Sequence, residues 1–382
     1  KQFYDMYVLN PRHAEAHRNG DIHIHDLDFL TLTTTCCQID LLELFKNGFS
    51  TGHGVLREPM DIASYSALCC IAIQANQNDQ HGGQSISNFD YGMAPGVRKT
   101  YMKRFRDNVS RLLDAEFDVE DSDAAAKRML DEVEQETGLV PEMEEKPAFD
   151  EALLARLGAY MEKGQAEKLL RSVRKFSHKE IVKATFQAME ALVHNLNTMN
   201  SRAGAQVPFS SINYGTDTSP EGRLVMEQLL LATEAGLGRG ETPIFPIQIF
   251  RVKEGVNYNP GDPNYDLFRL AIRCSAKRLF PNFSFLDAPY NLKYYKPGQP
   301  ETEVGYMGCR TRVMANAYDS SEEVAPRRGN LSFTSINLPR IAIDAKGDIA
   351  WFFDELERKM ELAYDQLNER FEIIARKKVY NF

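Results

Sequence analysis

The sequence predicts a parallel α/β fold, and three stretches predict it. Residues 207–214 read as a strand, 220–235 as a helix that stops at Gly236, and 244–252 as a second strand, with glycine-rich turns at each exit. A helix over 262–279 and an apolar run over 332–343, read as a further strand, extend the alternation. The 382 residues suffice for a large core, and no apolar run reaches the ~20 residues of a membrane-spanning helix.

In chain order, residues 7–18 carry a helical pattern that ends at Arg18-Asn19-Gly20-Asp21. Ile22-His23-Ile24-His25-Asp26 then alternates as a strand does, which puts His23 and His25 on one face. They serve either as two metal ligands, with no evident third, or as hydrogen-bonded structural histidines beside Asp26 and Asp28. A β-prone run over 31–35 leads into Cys36-Cys37-Gln38-Ile39-Asp40. On a strand the two cysteines point to opposite faces, so only one of them lines a given cavity. A helix over 59–76 takes Cys69 and Cys70 as small core residues. It ends in Asn78-Asp79-Gln80-His81-Gly82-Gly83-Gln84-Ser85, where the Gly82 and Gly83 amides either approach a ligand or form a solvated turn.

Residues 102–176 are helical and acidic, and are expected as a surface insertion whose charge is a solvated face. Ser177 is expected to cap a core helix reaching 197, with Ile181, Ala184, Ala188, Leu192 and Leu196 at helical spacing. Gly215-Thr216-Asp217-Thr218 and Gly238-Arg239-Gly240 are either phosphate loops or ordinary turns. The last helix spans about 351–370, and the opening Lys1-Gln2-Phe3-Tyr4 reads as the interior of a longer protein.

Forty-five basic against 54 acidic side chains give a net charge of −9, which argues against a nucleic-acid partner. With neither a signal peptide nor a spanning segment, the expectation is a cytoplasmic protein away from membranes. The six cysteines lack the spacing of a zinc site or a disulfide framework, so a reducing compartment is expected. Cys309 stands apart, in Tyr306-Met307-Gly308-Cys309-Arg310-Thr311-Arg312-Val313. Gly308 frees the backbone beside the thiol, and Arg310 and Arg312 bracket it with positive charge.

Several motifs, in this order, carry a family resemblance: Gly20-Asp21-Ile22-His23-Ile24-His25-Asp26, Cys36-Cys37-Gln38-Ile39-Asp40-Leu41, His81-Gly82-Gly83-Gln84-Ser85, Thr242-Pro243-Ile244-Phe245-Pro246, Asp262-Pro263-Asn264-Tyr265-Asp266, Met307-Gly308-Cys309-Arg310 and Ile336-Asn337-Leu338-Pro339-Arg340. The chain resembles the anaerobic, class III ribonucleoside-triphosphate reductases, which are glycyl-radical enzymes. The resemblance implies a ten-stranded α/β barrel of two parallel half-barrels, with a central finger loop that carries Cys309 at its tip.

In that family the Cys309 counterpart becomes a thiyl radical that takes the 3'-hydrogen of the ribose, which calls for a dry pocket. Cys36 matches the cysteine on the opposite side of the sugar, suited to protonating the departing 2'-hydroxyl, while Cys37 faces the core. Asn330 matches an active-site asparagine of the branch that uses formate as reductant, and Lys103 matches a phosphate-contacting position of the allosteric nucleotide site, which takes ATP and dNTPs. Also implied are a ribonucleoside triphosphate substrate, a radical-SAM activating enzyme and a homodimer. The family's ATP-cone, glycyl-radical loop and four-cysteine zinc site have no counterpart within these residues, so residues 1–382 correspond to the catalytic barrel alone, inactive by itself. The alternatives are a glycyl-radical enzyme of the pyruvate formate-lyase type, with Cys36-Cys37 as its working pair, and a non-catalytic nucleotide-binding fragment.

Overall fold

A computed structural model describes residues 1–201, 204–313 and 325–377. Its main sheet has six strands in the order Gly329–Asn330, Thr35–Ile39, His81–Ile86, Ser210–Tyr214, Ile247–Val252 and Asn282–Phe285. From Thr35–Ile39 onward the strands run parallel, and Gly329–Asn330 joins as an antiparallel edge. Helices Ile62–Asp79, Pro220–Ala235 and Tyr265–Arg278 each bridge two neighbouring parallel strands, which is the predicted alternation. Among the described residues the sheet stays open, with six strands of the ten expected for a closed barrel.

Side-chain alternation decides what each face of the sheet carries. Ile86, Ile212, Tyr214, Phe250 and Val252 face the helices and join one continuous apolar core. Ser85 and Asn213 point the other way and receive a hairpin formed by Gly305–Tyr306 and Arg312–Val313. Both inner strands, Ser210–Tyr214 and Ile247–Val252, are therefore buried along their whole length.

Three expectations change. Ser177 caps nothing: it lies buried inside a helix that runs Lys163–Thr198, where it accepts a hydrogen bond from Asn108, and the N-cap is Glu162 with Gln165 completing a capping box. The acidic stretch is more than a surface excursion. Its first helix starts at Phe89, and Leu113, Met129, Val133, Phe149 and Leu153 extend the main core beneath the charged face. The stretch 332–343 is a short strand, Thr334–Ile336, followed by the helix Leu338–Ala345, because Asn337 accepts the Arg340 amide as an N-cap and proline is tolerated in a first turn.

Thr334–Ile336 pairs antiparallel with Ile22–Ile24. The His23 and His25 rings lie 4.6 Å apart, and His25 Nε2 meets Ser335 Oγ at 2.8 Å. Among the described residues no group of three or more His, Cys, Asp or Glu side chains is placed to hold a metal ion.

Candidate active site

Cys36 sits where the ladders on both sides of its strand shift register. Thr35 pairs with His81 and Cys37 with Gln84, so two glycines on one strand oppose a single cysteine on the other. On the far side Gly329 pairs with Cys37 and Asn330 with Thr35, again skipping Cys36. Cys36 adopts φ +52°, uncommon for a residue with a side chain, and a bulge of this kind re-aims a side chain out of the ladder. Gly82 has to be glycine here. At φ +85° an added Cβ would lie 2.4 Å from Thr35 Oγ1 and 2.8 Å from Cys36 Sγ. The Gly83 amide, read from the sequence as approaching a ligand or lying in a solvated turn, instead sits on the strand His81–Ile86 and donates to Cys36 Sγ at 3.0 Å.

Cys309 stands at the tip of the hairpin. The turn closes through Met307, whose amide donates to Thr311 O and whose carbonyl accepts from Arg310 N. Three contacts fix this finger on the sheet. Asn213 holds Tyr306 by both backbone groups, donating to its carbonyl at 2.8 Å and accepting from its amide at 2.8 Å. Ser85 Oγ donates to the same carbonyl at 2.9 Å. The Phe209 ring fills the space beside Gly308, where a Cβ would lie 2.6 Å from Cε1.

Cys309 Sγ therefore comes to rest 4.0 Å from Cys36 Sγ and 3.0 Å from Thr311 Oγ1. With Met307 and Val313, Cys36 forms a small apolar cluster of its own. The pair shares a proton unequally. The hydrogen bond to Cys309, followed by burial, pushes the Cys36 thiol up. The same bond brings Cys309 down to about 5 against the opposing effect of burial, with Thr311 helping. The arginines that bracket the thiol in the sequence are engaged elsewhere. Arg310 bonds Gly308 O and Asn282, while Arg312 reaches Asn291 and lies over the Tyr290 ring.

Two site expectations meet a different geometry. Sulfurs 4.0 Å apart leave no room for a sugar ring between them, so a ribose reaches both only from the open side of the finger, or by parting them. Cys309 is also exposed, so the dry surroundings expected for it are not formed by the described residues.

Cys37 points away from Cys36, as predicted, but into a polar setting and not into the core. Its thiol donates to Gln84 Oε1 at 3.0 Å and accepts from Asn76 Nδ2 at 2.8 Å, and burial pushes it up to about 12. Asn330 lies on the edge strand opposite Thr35. It lines a cleft of about 400 Å³ with Cys37, Gln38, Gln80, Arg327 and Arg328, and neither Cys36 nor Cys309 belongs to that lining. Lys103 is exposed in a separate cleft of about 480 Å³, beside Lys99, Arg106 and Lys127 and facing Asp61, Asp131 and Glu134.

The two phosphate-loop candidates are ordinary turns. The amides of Gly215, Thr216 and Asp217 all donate to Asp90 Oδ2, and Gly240 closes the turn after Leu237. Sequence reasoning missed Ser85, Phe209 and Asn213. The one available signal was the three polar residues of Ser210-Ser211-Ile212-Asn213-Tyr214, on a strand expected inside the sheet.

A family model for the anaerobic ribonucleoside-triphosphate reductase matches residues 1–382. The chain belongs to that reductase family. The anaerobic ribonucleoside-triphosphate reductase of Escherichia coli K12 is 28% identical over 373 residues, covering 97% of this chain and 43% of that protein. The enzyme of the same name from phage T4 is 29% identical over 363 residues, covering 94% of this chain and 49% of the phage protein. The chain thus spans less than half the length of the reductases it matches. In fold it resembles the anaerobic ribonucleotide reductase of Thermotoga maritima crystallised with dATP and CTP. There the TM-score is 0.54 at 15% identity, over 95% of this chain and 49% of the other. The open sheet with its finger is accordingly part of the reductase barrel.

Proposed function

We propose that this chain carries the two-thiol half of the centre that reduces ribonucleoside triphosphates to deoxyribonucleoside triphosphates in a longer, homodimeric enzyme. The observation that supports it most is the meeting of Cys36 and Cys309 at 4.0 Å on a finger fixed at its root. A glycyl radical on a segment from outside residues 1–382, generated by a radical-SAM activating enzyme, would supply the one-electron oxidising equivalent that Cys309 is placed to receive as a hydrogen-atom donor. The exposed side of Cys309 fits such delivery.

Hydrogen-atom exchange needs an S–H bond, and in the resting pair the proton lies with Cys36. Because the Cys36 hydrogen bond is the first cause of the low Cys309 value, a substrate that parts the sulfurs returns Cys309 toward an ordinary thiol. The sulfur-centred radical then takes the 3'-hydrogen, and Cys36, which burial keeps protonated after the sulfurs part, gives its proton to the leaving 2'-hydroxyl as water. Formate closes the balance: ribonucleotide, formate and one proton give deoxyribonucleotide, carbon dioxide and water. Asn330, on the edge strand opposite Thr35, serves this reductant step, and its cleft carries two arginines suited to a small carboxylate. Lys103 and its basic neighbours hold the phosphates of an ATP or dNTP effector.

The lyase alternative needs Cys36 and Cys37 as partners, and they point to opposite sides of one strand. The test is anaerobic nucleotide reduction by the full-length protein with its activating enzyme. Cys36→Ser and Cys309→Ser are each expected to abolish dNTP formation. Activity retained in either variant overturns the assignment of that residue.

A further inference from the structure

The finger is tied to the sheet at a second point by charged groups that no step above uses. Arg251, Asp90 and Glu303 are all buried, with Arg251 and Asp90 fully enclosed. Arg251 Nη1 lies 2.8 Å from Glu303 Oε2 and donates to Asn88 Oδ1 at 2.9 Å, while Nη2 faces Asp90 Oδ1 at 3.6 Å. Thr216 Oγ1 donates to the same Glu303 oxygen at 2.7 Å. Asp90 in turn takes the three amides of the turn carrying Thr216.

The Arg251 and Thr216 contacts end on Glu303, two residues before the first strand of the finger, and the Asp90 contacts on the turn that follows strand Ser210–Tyr214, while Asn88 and Asp90 hold Arg251 from the other side. A buried ion pair is weak evidence of added stability, and its best-attested use is to fix one geometry among several. Here the geometry fixed is where the chain leaves the sheet to reach Cys309. From Glu303 to the Asn213 clamp on Tyr306 is three residues, and from there to the thiol three more, so a shift at the root carries to the tip.

We infer that Glu303, held by Arg251 and Thr216, is a positioning residue that sets the register of the finger and so the contact between Cys309 and Cys36. The inference deepens the reading of the two thiols as a working pair and rests on it.

The experiment uses two variants. Thr216→Val removes one hydrogen bond in nearly the same volume, and Glu303→Gln removes the charge in the same shape. For each, the pH midpoint of Cys309 alkylation by iodoacetamide and the rate of Cys36–Cys309 cross-linking by dibromobimane are read beside the melting temperature. Thr185→Val, at a buried threonine outside the network, is the control. Both network variants are expected to raise the midpoint by about one pH unit and slow cross-linking about tenfold, while the control changes neither. A role confined to stability would lower the melting temperature and leave midpoint and rate in place, and that result overturns the inference. If Glu303→Gln does not fold, Thr216→Val decides alone. If the unsubstituted protein neither cross-links nor shows the low midpoint, it is the thiol pair that fails and not its anchor.

Discussion

The Sγ atoms of Cys36 and Cys309 lie 4.0 Å apart although 273 positions separate them in the chain. Each is brought there by a local irregularity: a bulge opposite paired glycines for Cys36, and a turn wedged by Phe209 for Cys309. The chemistry expected of the pair follows from their sharing a proton.

Alkylation should expose that sharing. The Cys309 sulfur is a thiolate above pH about 5, so iodoacetamide labelling of its peptide is expected to fall only as pH drops through that value. In Cys36→Ala the first cause of the lowering is gone, and the midpoint should move up toward the ~8.5 of a free thiol. Mass spectrometry of the labelled peptide reads both, and an unmoved midpoint in the variant would show that the two thiols are not coupled.

Gly82 and Gly52 allow crowding to be separated from backbone strain. Both have φ in the left-handed region, +85° and +90°, but an added Cβ at Gly52 meets nothing within 4 Å, whereas at Gly82 it meets Thr35 and Cys36. Gly52→Ala is expected to cost about 1 kcal/mol from strain alone, and Gly82→Ala some ~1–3 kcal/mol more through overpacking. Equal costs in urea unfolding would mean that the bulge is not packed as described.

Gly308→Ala should cost about 1–3 kcal/mol, since its Cβ would lie 2.6 Å from the Phe209 ring. In the double variant with Phe209→Ala the two costs should fail to add, because the smaller side chain accommodates the new methyl. Additive costs would place Phe209 elsewhere.

Asp217 carries a pH-dependent penalty. Burial, then the nearby Asp90, pushes its carboxyl up to about 6, above the ~3.9 of an unfolded chain. The fold therefore favours its protonated form. The penalty is absent below pH about 4, grows as pH rises toward 6 and is constant above. Asp217→Asn is expected to stabilise the protein by about 2–3 kcal/mol near neutral pH and by almost nothing near pH 4, as thermal melts at the two pH values will show.

Much of the scaffold was legible from the sequence because its signals are local. The helix Pro220–Ala235 has a serine cap and a glycine stop, and the runs on either side of it are rich in β-branched and aromatic residues. Ser177 misled because a serine before an apolar pattern looks like a cap, and only the neighbouring helix, through Asn108, shows that it is interior. The run after Ser332 looked like strand until Asn337 and Pro339 are weighed as a helix start. In the site, the two thiols came from motif resemblance, while their anchors did not. Asn213, Phe209 and the Arg251–Glu303 pair act across long sequence separations, which neither spacing nor periodicity records.

The central claim is that these two sulfurs, and no other pair, face each other. It is tested most directly by treating the reduced protein with dibromobimane and mapping the cross-linked peptides. The structure predicts one dominant product joining the peptides of Cys36 and Cys309, lost in either serine variant. Cross-linking of Cys36 to Cys37, or single labelling of Cys309 with no partner, would contradict it.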